Sequence, residues 1–345
     1  MKTTRRLFAL LLAVAMMLSM TACGGNGDTS SAPPTTTPPT TTTTTAPRLG
    51  VNKLTGIEDM ETDNDRPIGI VVTDESSTLV QLNLESADMY FEAETEGGIP
   101  RILAIYSSVD RLPSEIGPVR SARPHFVKFA KSLDMIYCHI GGSKTGLETI
   151  KQLRVEDIGN AEEISPILKN SKNFSWNRKV FTKTKIETAI KNNGYKKTSN
   201  VQSPFVFGEK QGVEPANTVV VKISESYQMA FTYDATRGVY QKHRNALNTP
   251  VHTTHTGGTI EVSNVIIMYD NRFVDAADAK RFDFTLSQGT GTLASGGTCR
   301  SISWKRTDSG LQYFESDGVT PLTVSTGKTF VCLASNTLRS GTVIY

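Results

Sequence analysis

At 345 residues, the chain is long enough for two ordinary domains. Hydrophobic residues make up 38% of it and charged residues 21%, which is typical of a globular protein and argues against a wholly disordered one. The formal net charge is only +3, and the lysines are scattered along the sequence. A chain with so little net charge and no cluster of basic residues lacks the basic surface that attracts nucleic acid, and we expect no nucleic-acid partner.

The first 22 residues, 1–22, have the order of a lipoprotein signal peptide. A basic start with Lys2, Arg5 and Arg6 precedes the apolar run LFALLLAVAMMLSM, and small residues then lead to Cys23. This arrangement predicts that Cys23 is lipidated, which would anchor the protein to the membrane without spanning it. Cleavage before Cys23 removes three basic residues and no acid, so the formal charge falls from +3 to zero.

Residues 23–65 are predicted to form a lipid-anchored, disordered linker. Thr, Pro, Ser and Ala make up almost all of residues 29–47, a composition that cannot bury a core and favours extended backbone. No later run reaches the ~20 apolar residues that a membrane helix requires. We therefore expect the rest of the chain to lie in the bacterial cell envelope, at the outer face of the cell membrane.

Residues 66–200 are predicted to form a mixed α/β domain. The segments RPIGIVVT, MYFEAET, IPRILAIYS and DMIYCHI have the apolar character of strands. Helices are expected over VRSARPHFVKFAKSL, KTGLETIKQL and KIETAIKNNG. Thr184 and Glu187 form a capping-box pattern at the start of the third helix, and Gly194 would end it. Strands that alternate with helices indicate an α/β or α+β arrangement.

Residues 215–345 are predicted to form a β-rich domain, so the fold class of the whole chain is α+β. Short β-branched or aromatic runs such as NTVVVKI, QMAFTYD and KTFVCLA are separated by glycine-containing turns. Three cysteines remain beyond Cys23, an odd number, so at least one thiol should be free. A bridge between Cys299 and Cys332 stays open, whereas Cys138 has the surroundings of a buried thiol.

The segment ADMYFEAETEGGIPR places acidic residues at alternate positions. As a strand it would project Glu92, Glu94 and Glu96 to one face, and Asp88 shares their parity. Like charges crowded on one face repel, so these carboxylates should face water, bind a cation, or meet basic groups. The candidate basic partners are Arg101, Arg120 and Arg123.

Arg120 and Arg123 lie between two prolines in EIGPVRSARP. A helix that began near Pro118 would place both guanidiniums on one face, close to free N–H groups that favour an anion. Pro124 disfavours helical geometry at Arg123 and favours a helix that begins at Pro124, with a rigid turn before it. In either arrangement we expect the two arginines to form one wall of a cleft opposite the acidic residues.

The segment IYCHIGGSKTG joins a strand to a helix through small residues, a layout in which catalytic and phosphate-binding loops often occur. The complete signatures of a P-loop and of G-x-S-x-G are absent from it. His139 is a candidate general base, although a structural, hydrogen-bonded role is the simpler interpretation, and Ser143 is a further candidate for the cleft. His252 and His255 lack a placed carboxylate, and there is no CxxC, so we expect neither a metal nor a cofactor.

The segments RPIGIVV, SADMYFEAETEGGIPRILAIY, GPVRSARPHF and HIGGS together resemble the YerB-type family of proteins described as bacterial lipoproteins, which pair an N-terminal and a C-terminal domain of unknown function. The resemblance continues through SNVIIMY, GTGT, SWKR and SDG. It implies a two-domain lipoprotein and assigns no reaction, cofactor or substrate. In that family an acid commonly follows the histidine that corresponds to His252, where Thr253 and Thr254 stand here, which argues against a role for His252. The motif falls on Asp88, Glu92, Glu96, Gly97, Gly98, Arg101, Gly117, Pro118, Arg120, Ser121, Arg123, His139, Gly141, Gly142 and Ser143.

The main functional hypothesis is a lipid-anchored envelope protein, without catalytic activity, that binds a cell-wall component or a membrane partner through an Arg/Glu-lined cleft. One alternative is a wall-polymer hydrolase or transferase, with His139 as base and Glu92 or Glu96 as acid or base. Another is a scaffold for cell-wall synthesis proteins that uses the β-rich domain as its contact surface. The candidate cleft comprises Asp88, Glu92, Glu96, Arg101, Arg120, Arg123, His139 and Ser143.

Overall fold

The computed structural model describes most of the chain beyond its N-terminal segment, and Arg48–Tyr345 forms one compact unit. The predicted export signal, Cys23 and the Thr/Pro-rich segment lie outside the described residues. Within the described part, no helix combines the length and hydropathy that a membrane crossing requires. The described residues are 49–74, 81–170, 175–244, 249–275 and 277–345.

The N-terminal region contains the three α-helices of the described chain together with ten strands. The strands are β1 (Gly50–Val51), β2 (Glu58–Met60), β3 (Ile68–Thr73), β4 (Met89–Glu94), β5 (Pro100–Tyr106), β6 (Glu115–Ile116), β7 (Ile136–His139), β8 (Asp157–Gly159), β9 (Glu163–Ile164) and β10 (Lys179–Thr182). The helices are α1 (Pro124–Ser132), α2 (Lys144–Leu153) and α3 (Lys183–Asn193). Helices and strands thus mix in this region, as the sequence predicts.

Folded structure begins before residue 66, where we expected the linker to end. β1 pairs antiparallel with β2, and Asn52 and Leu54 are fully buried. The Asn52 side chain accepts hydrogen bonds from the Leu54 backbone N–H at 3.0 Å and from the Ser107 hydroxyl at 2.6 Å. These bonds tie the segment to the end of β5, so the predicted boundary is corrected: residues 49–65 belong to the folded unit.

The starts of α1 and α3 depend on the residue that precedes each helix. α1 begins at Pro124, and Arg123 before it is extended, with φ −132° and ψ 149°. The helix start at Pro124 is therefore correct, and Arg120 precedes the helix. α3 begins at Lys183 because the Thr182 side chain accepts a hydrogen bond from the Lys185 N–H, so the predicted cap two residues later is wrong.

The C-terminal region is built from strands, as expected. They are β11 (Val206–Phe207), β12 (Glu214–Pro215), β13 (Thr218–Lys222), β14 (Gln228–Asp234), β15 (Val239–His243), β16 (Glu261–Val262), β17 (Asn264–Asp270), β18 (Arg272–Asp275), β19 (Asp278–Phe284), β20 (Gln288–Ser295), β21 (Thr298–Thr307), β22 (Gly310–Glu315), β23 (Thr323–Val324), β24 (Thr329–Ser335) and β25 (Val343–Ile344). The α+β class is thus confirmed in its coarse form.

One sheet runs through both regions. Its strand order is β12-β21-β20-β17-β24-β4-β5-β3-β7-β8, and β22 pairs with β21. β24 of the C-terminal region pairs in parallel with β4 of the N-terminal region, with Cys332 opposite Glu92. Because β20 and β17 separate β21 from β24, Cys299 and Cys332 are held apart, and both thiols are free. No disulfide joins Cys299 to Cys332.

The main sheet is covered on both faces at its centre. On one face, Phe330 of β24 packs against Phe231 of the five-stranded sheet β16-β15-β14-β13-β25, with ring centroids 5.1 Å apart. On the other face, Phe91 of β4 stacks on Phe129 of α1 at 4.0 Å. All six residues of β4 are buried, so alternation along this strand separates two cores rather than a core from water.

Candidate functional site

The acidic residues in and beside β4 have separate basic partners, so they do not meet in one cleft. Repulsion between neighbouring carboxylates is avoided because each one faces a different cation. Asp88 pairs with Arg111 at 2.8 Å, Glu92 faces Lys242 at 3.3 Å, Glu94 pairs with Arg272, and Glu96 pairs with Arg101 and Arg123. The predicted single cleft is therefore divided among several places in the fold.

Glu96 is held by two arginines from different elements. Arg101 of β5 donates to Glu96 Oε1 at 2.6 Å and to the Ser121 carbonyl at 2.7 Å. Arg123 donates through Nε to Glu96 Oε2 at 2.8 Å, and its Nη2 also contacts Oε1. The carboxylate thus accepts from both guanidinium groups, a charge-assisted geometry that fixes the turn after β4 next to the start of α1.

The turn that carries Glu96 requires glycine. Gly97 and Gly98 have φ of +66° and +77°, in the left-handed region that side chains rarely adopt. The Thr95 N–H donates to the Ile99 carbonyl at 2.9 Å, which closes the turn between β4 and β5. The sequence GG after Glu96 therefore determines where the carboxylate emerges from the sheet.

A cavity of about 370 Å³ opens beside this turn. We call it the arginine cavity, because Arg101 and Arg120 line it together with Glu96 and Lys179. Arg120 donates to the Val119 carbonyl at 3.2 Å and contacts the Asn177 side chain. The Lys179 amine is paired with an acid outside the lining, at 2.7 Å. Arg101 and Arg123 thus hold one carboxylate, Glu96, so two guanidinium groups share a single negative charge at this wall of the cavity.

The ionisation of the arginine cavity follows from burial and from these contacts. Partial burial alone would raise the pKa of Glu96, but Arg123 and Arg101 outweigh it and hold that pKa at about 2. Burial, together with the charge of Arg123, lowers the pKa of Arg101 to about 9. At neutral pH Glu96 is therefore ionised and Arg101 is protonated. The cavity can accept a further anion only in competition with Glu96.

The other predicted cleft residues do not line this cavity. Asp88 is buried where β4 begins and accepts hydrogen bonds from Ser107 N–H at 2.9 Å and from Arg111. His139 is buried, with ring nitrogens 2.6 Å from the Gly141 carbonyl and 3.0 Å from Asp157. Ser143 is the N-cap of α2. These side chains are committed to local structure, because each satisfies backbone groups or a neighbouring charge.

Glu92 belongs to a second group of charges, which the sequence reasoning missed. Asp74, Glu92 and Lys242 are all fully buried. Lys242 Nζ lies 2.9 Å from Asp74 Oδ2 and 3.3 Å from Glu92 Oε2. Neither carboxyl oxygen of Glu92 has a hydrogen-bond partner among the described residues. We call this the buried charge cluster, and it joins β3 and β4 to the five-stranded sheet.

Several polar side chains complete the buried charge cluster around Asp74. The Tyr227 hydroxyl donates to Asp74 Oδ2 at 2.7 Å, and Gln81 Nε2 donates to Oδ1 at 3.0 Å. His252 lies with Nδ1 3.4 Å from Lys242 Nζ, and Arg244 Nη2 is 2.8 Å from His252 Nε2. His252 is therefore a partner of charged side chains.

Burial assigns different charges to the two acids of this cluster. Burial raises the pKa of Glu92 to about 8, although the Lys242 charge opposes the rise. Burial also acts on Asp74, but the charges of Lys242 and Arg244 outweigh it and lower its pKa below the usual range. Burial lowers the pKa of His252 well below its usual value. At neutral pH we therefore expect ionised Asp74, protonated Lys242, and neutral Glu92 and His252.

A pattern in the sequence could have located Lys242. In VYQKH of β15, Tyr240 and Lys242 share a parity, and Tyr240 is a fully buried core residue. A lysine at an inward position of a strand requires a buried acid opposite it. Glu92 has the same relation to Tyr90 on β4, since both residues are fully buried. This shared pattern could have predicted that Lys242 and Glu92 face each other.

Comparison with known proteins gives matches along most of the described chain. Residues 54–199 match the family described as "Protein of unknown function (DUF3048) N-terminal domain", and residues 219–331 match its C-terminal domain. The chain is 27% identical over 272 residues to "Putative lipoprotein YerB" of Bacillus subtilis (strain 168), an alignment that covers 73% of this chain and 77% of that protein.

A solved structure has the same fold. The crystal structure of YerB protein from Bacillus subtilis superposes with a TM-score of 0.70 and 23% identity, and covers 83% of this chain and 96% of that chain. The match to the N-terminal family domain precedes the match to the C-terminal family domain along this chain. The chain therefore belongs to the family of proteins of unknown function that pairs the DUF3048 N-terminal and C-terminal domains.

Proposed function

We propose that this protein is a lipid-anchored protein of the outer face of the cell membrane that binds an anionic group of a cell-wall component or membrane partner in the arginine cavity. One observation carries the proposal. Arg101, Arg120 and Lys179 line a cavity of about 370 Å³ in which Glu96 is the lining carboxylate. The volume lies within the range of small-ligand sites, and arginine donors that already hold the Glu96 carboxylate suit a phosphate or carboxylate.

Glu96 acts as an internal stand-in for the ligand. Its carboxylate occupies donors of Arg101 and Arg123 in the way that a bound anion would. An incoming phosphate displaces this carboxylate or shares its donors, so Glu96 weakens binding of a second anion by repulsion. Arginine suits such a site because its planar donors match two oxygens of a phosphate or carboxylate.

The binding test compares variants of opposite expected sign. With methyl phosphate as the probe, Arg101→Met should weaken binding by about tenfold or more, because a charge-assisted contact is lost. Glu96→Gln should tighten binding by roughly threefold to tenfold, because the competing charge is removed while the size is kept. Both constants can be measured by isothermal titration calorimetry on residues 48–345, the compact unit.

Arg66→Met is the matched control. Arg66 is a buried arginine paired with Asp134 and Glu156 and is absent from the lining of the cavity. Its replacement should lower stability and leave methyl phosphate binding unchanged. Equal affinity in wild type, Arg101→Met and Glu96→Gln would contradict the anion site, and so would weaker binding by Glu96→Gln at unchanged folding.

The membrane anchor is supported by Cys23 at the end of the signal-like segment and by the name of the Bacillus relative. Expressed in a bacterial host with labelled palmitate, the wild-type protein should carry the label, and its mature N-terminus should be Cys23. Cys23→Ser should lose the label, whereas Cys299→Ser should keep it. A labelled Cys23→Ser variant would contradict lipidation at this cysteine.

A further inference from the structure

A second cavity adjoins the arginine cavity. It has a volume of about 710 Å³ and shares Glu96 and Ile99 with the arginine cavity as lining residues. Its opposite side is formed by the β18–β19 hairpin, which contributes Arg272, Ala279 and Phe282. We call it the hairpin cavity. The turn at Glu96–Ile99 is thus a wall common to two cavities of different character.

Most of the charged groups that line the hairpin cavity have ion-pair partners, and the exposed Lys280 is a further cation of its lining. Glu94 pairs with Arg272, and the Arg272 guanidinium lies 4.2 Å from the centre of the Phe282 ring. Asp278 pairs with Arg281 at 2.9 Å. Pairing turns the charged ends toward each other, so Phe282, Ile99 and the aliphatic stems supply much of the contact surface.

The apolar surface continues along the hairpin. Val274 is the cross-strand neighbour of Phe282 and is 52% exposed. Residues directly opposite in an antiparallel pair point to the same face, so Val274 extends the surface on which Phe282 lies. Exposed apolar side chains of this size next to a cavity favour a ligand with an apolar part.

We propose that the two cavities bind one amphiphile, with a phosphate head in the arginine cavity and a hydrocarbon chain in the hairpin cavity. This inference rests on the proposed anion site and names the class of ligand that it takes. The arginine cavity and the hairpin cavity lie on either side of the wall formed by Glu96 and Ile99. A phosphate joined to a hydrocarbon chain could therefore place its charged head in the first cavity and its apolar chain in the second. A lipid phosphate is the occupant to which this charge distribution is complementary.

Three soluble probes separate the head from the chain. Dodecyl phosphate, methyl phosphate and dodecyl maltoside are titrated into residues 48–345 below their micelle-forming concentrations. Dodecyl phosphate should bind at least about tenfold more tightly than methyl phosphate, because its chain removes apolar surface from water. Dodecyl maltoside should bind more weakly than dodecyl phosphate, because its head is uncharged.

Two phenylalanine variants test whether the hydrocarbon chain of dodecyl phosphate binds in the hairpin cavity. Phe282→Ser should remove most of the gain of dodecyl phosphate over methyl phosphate and leave methyl phosphate binding unchanged. Phe314→Ser is the matched control, since Phe314 on β22 does not line the hairpin cavity and should leave both affinities unchanged. Arg101→Met should weaken both phosphates to a similar extent.

The outcomes distinguish this inference from the anion site. If dodecyl phosphate binds no more tightly than methyl phosphate, the amphiphile proposal is wrong and the anion site stands. The same conclusion follows if dodecyl phosphate keeps its higher affinity in Phe282→Ser. Dodecyl maltoside binding as tightly as dodecyl phosphate also overturns the amphiphile proposal. Dodecyl phosphate binding that depends on Phe282 but is unchanged in Arg101→Met overturns the anion site instead.

Discussion

Lys242→Met is expected to lower the free energy of unfolding by about 3–5 kcal/mol, the range for removing one partner of a buried ion pair. Lys242 and Asp74 are fully buried and their charged atoms lie 2.9 Å apart. Methionine fills most of the lysine volume, so the loss comes from an uncompensated carboxylate rather than from a cavity. Urea-induced unfolding measures the change directly.

Two further variants test the origin of this loss. Lys222→Met, on the same five-stranded sheet, removes an ion pair with the exposed Glu225 and should change stability far less. Adding Asp74→Asn to Lys242→Met should restore part of the loss, because it removes the ionised carboxylate beside the missing amine, whereas Glu92 is already neutral. A loss of equal size in Lys222→Met would show that the buried charge cluster contributes nothing special.

Glu92 should make the wild-type protein less stable as pH rises from about 4.5 to about 8. Burial raises the pKa of Glu92 to about 8, so the folded state holds this proton more tightly than the unfolded chain does. The stabilisation is fully present below the unfolded pKa and is lost as pH rises through the folded pKa. A single group of this kind changes stability by about 1.4 kcal/mol per pH unit within that window.

Glu92→Gln isolates this effect. Glutamine has the shape of a protonated glutamate and does not titrate, so the difference in unfolding free energy between wild type and Glu92→Gln should vary across the window. Asp74, Lys242, His252 and Arg244 are present in both proteins, so the difference reports the titration of Glu92 together with its interaction with these neighbours. A difference that stays constant from about pH 5 to about pH 8 would contradict a proton on Glu92.

Local signals in the sequence predicted most strands and helices correctly. The apolar runs at β3, β5 and β7 and the periodic pattern of α2 lie where expected, because period and turn residues are properties of neighbouring positions. Errors occurred where two local signals competed. At α3, Thr182 and Thr184 are both good caps, and the helix took the earlier one because β10 ends there.

The site was predicted less completely than the elements. Glu96, Arg101 and Arg120 do line one cavity, and the pairing of glutamate with arginine was foreseen from their charge and spacing. Glu92 was grouped with them because it shares the strand parity of Glu96, and His139 because it ends a strand before a small-residue loop. In the fold each has a nearer partner, Asp157 for His139 and Lys242 for Glu92, so the proposed catalytic set does not meet in the arginine cavity.

The sequence by itself determined the kinds of element, the glycine turn that presents Glu96 and the family to which the chain belongs. Only the tertiary structure decided which charges meet. Lys242 stands 168 residues from Asp74, and no local pattern specifies a partner at that distance. β24 lies far from β4 in sequence, yet it pairs with β4 and so joins the two regions in one sheet. Parity along a strand shows which side chains point inward, whereas their partners depend on which strands become neighbours.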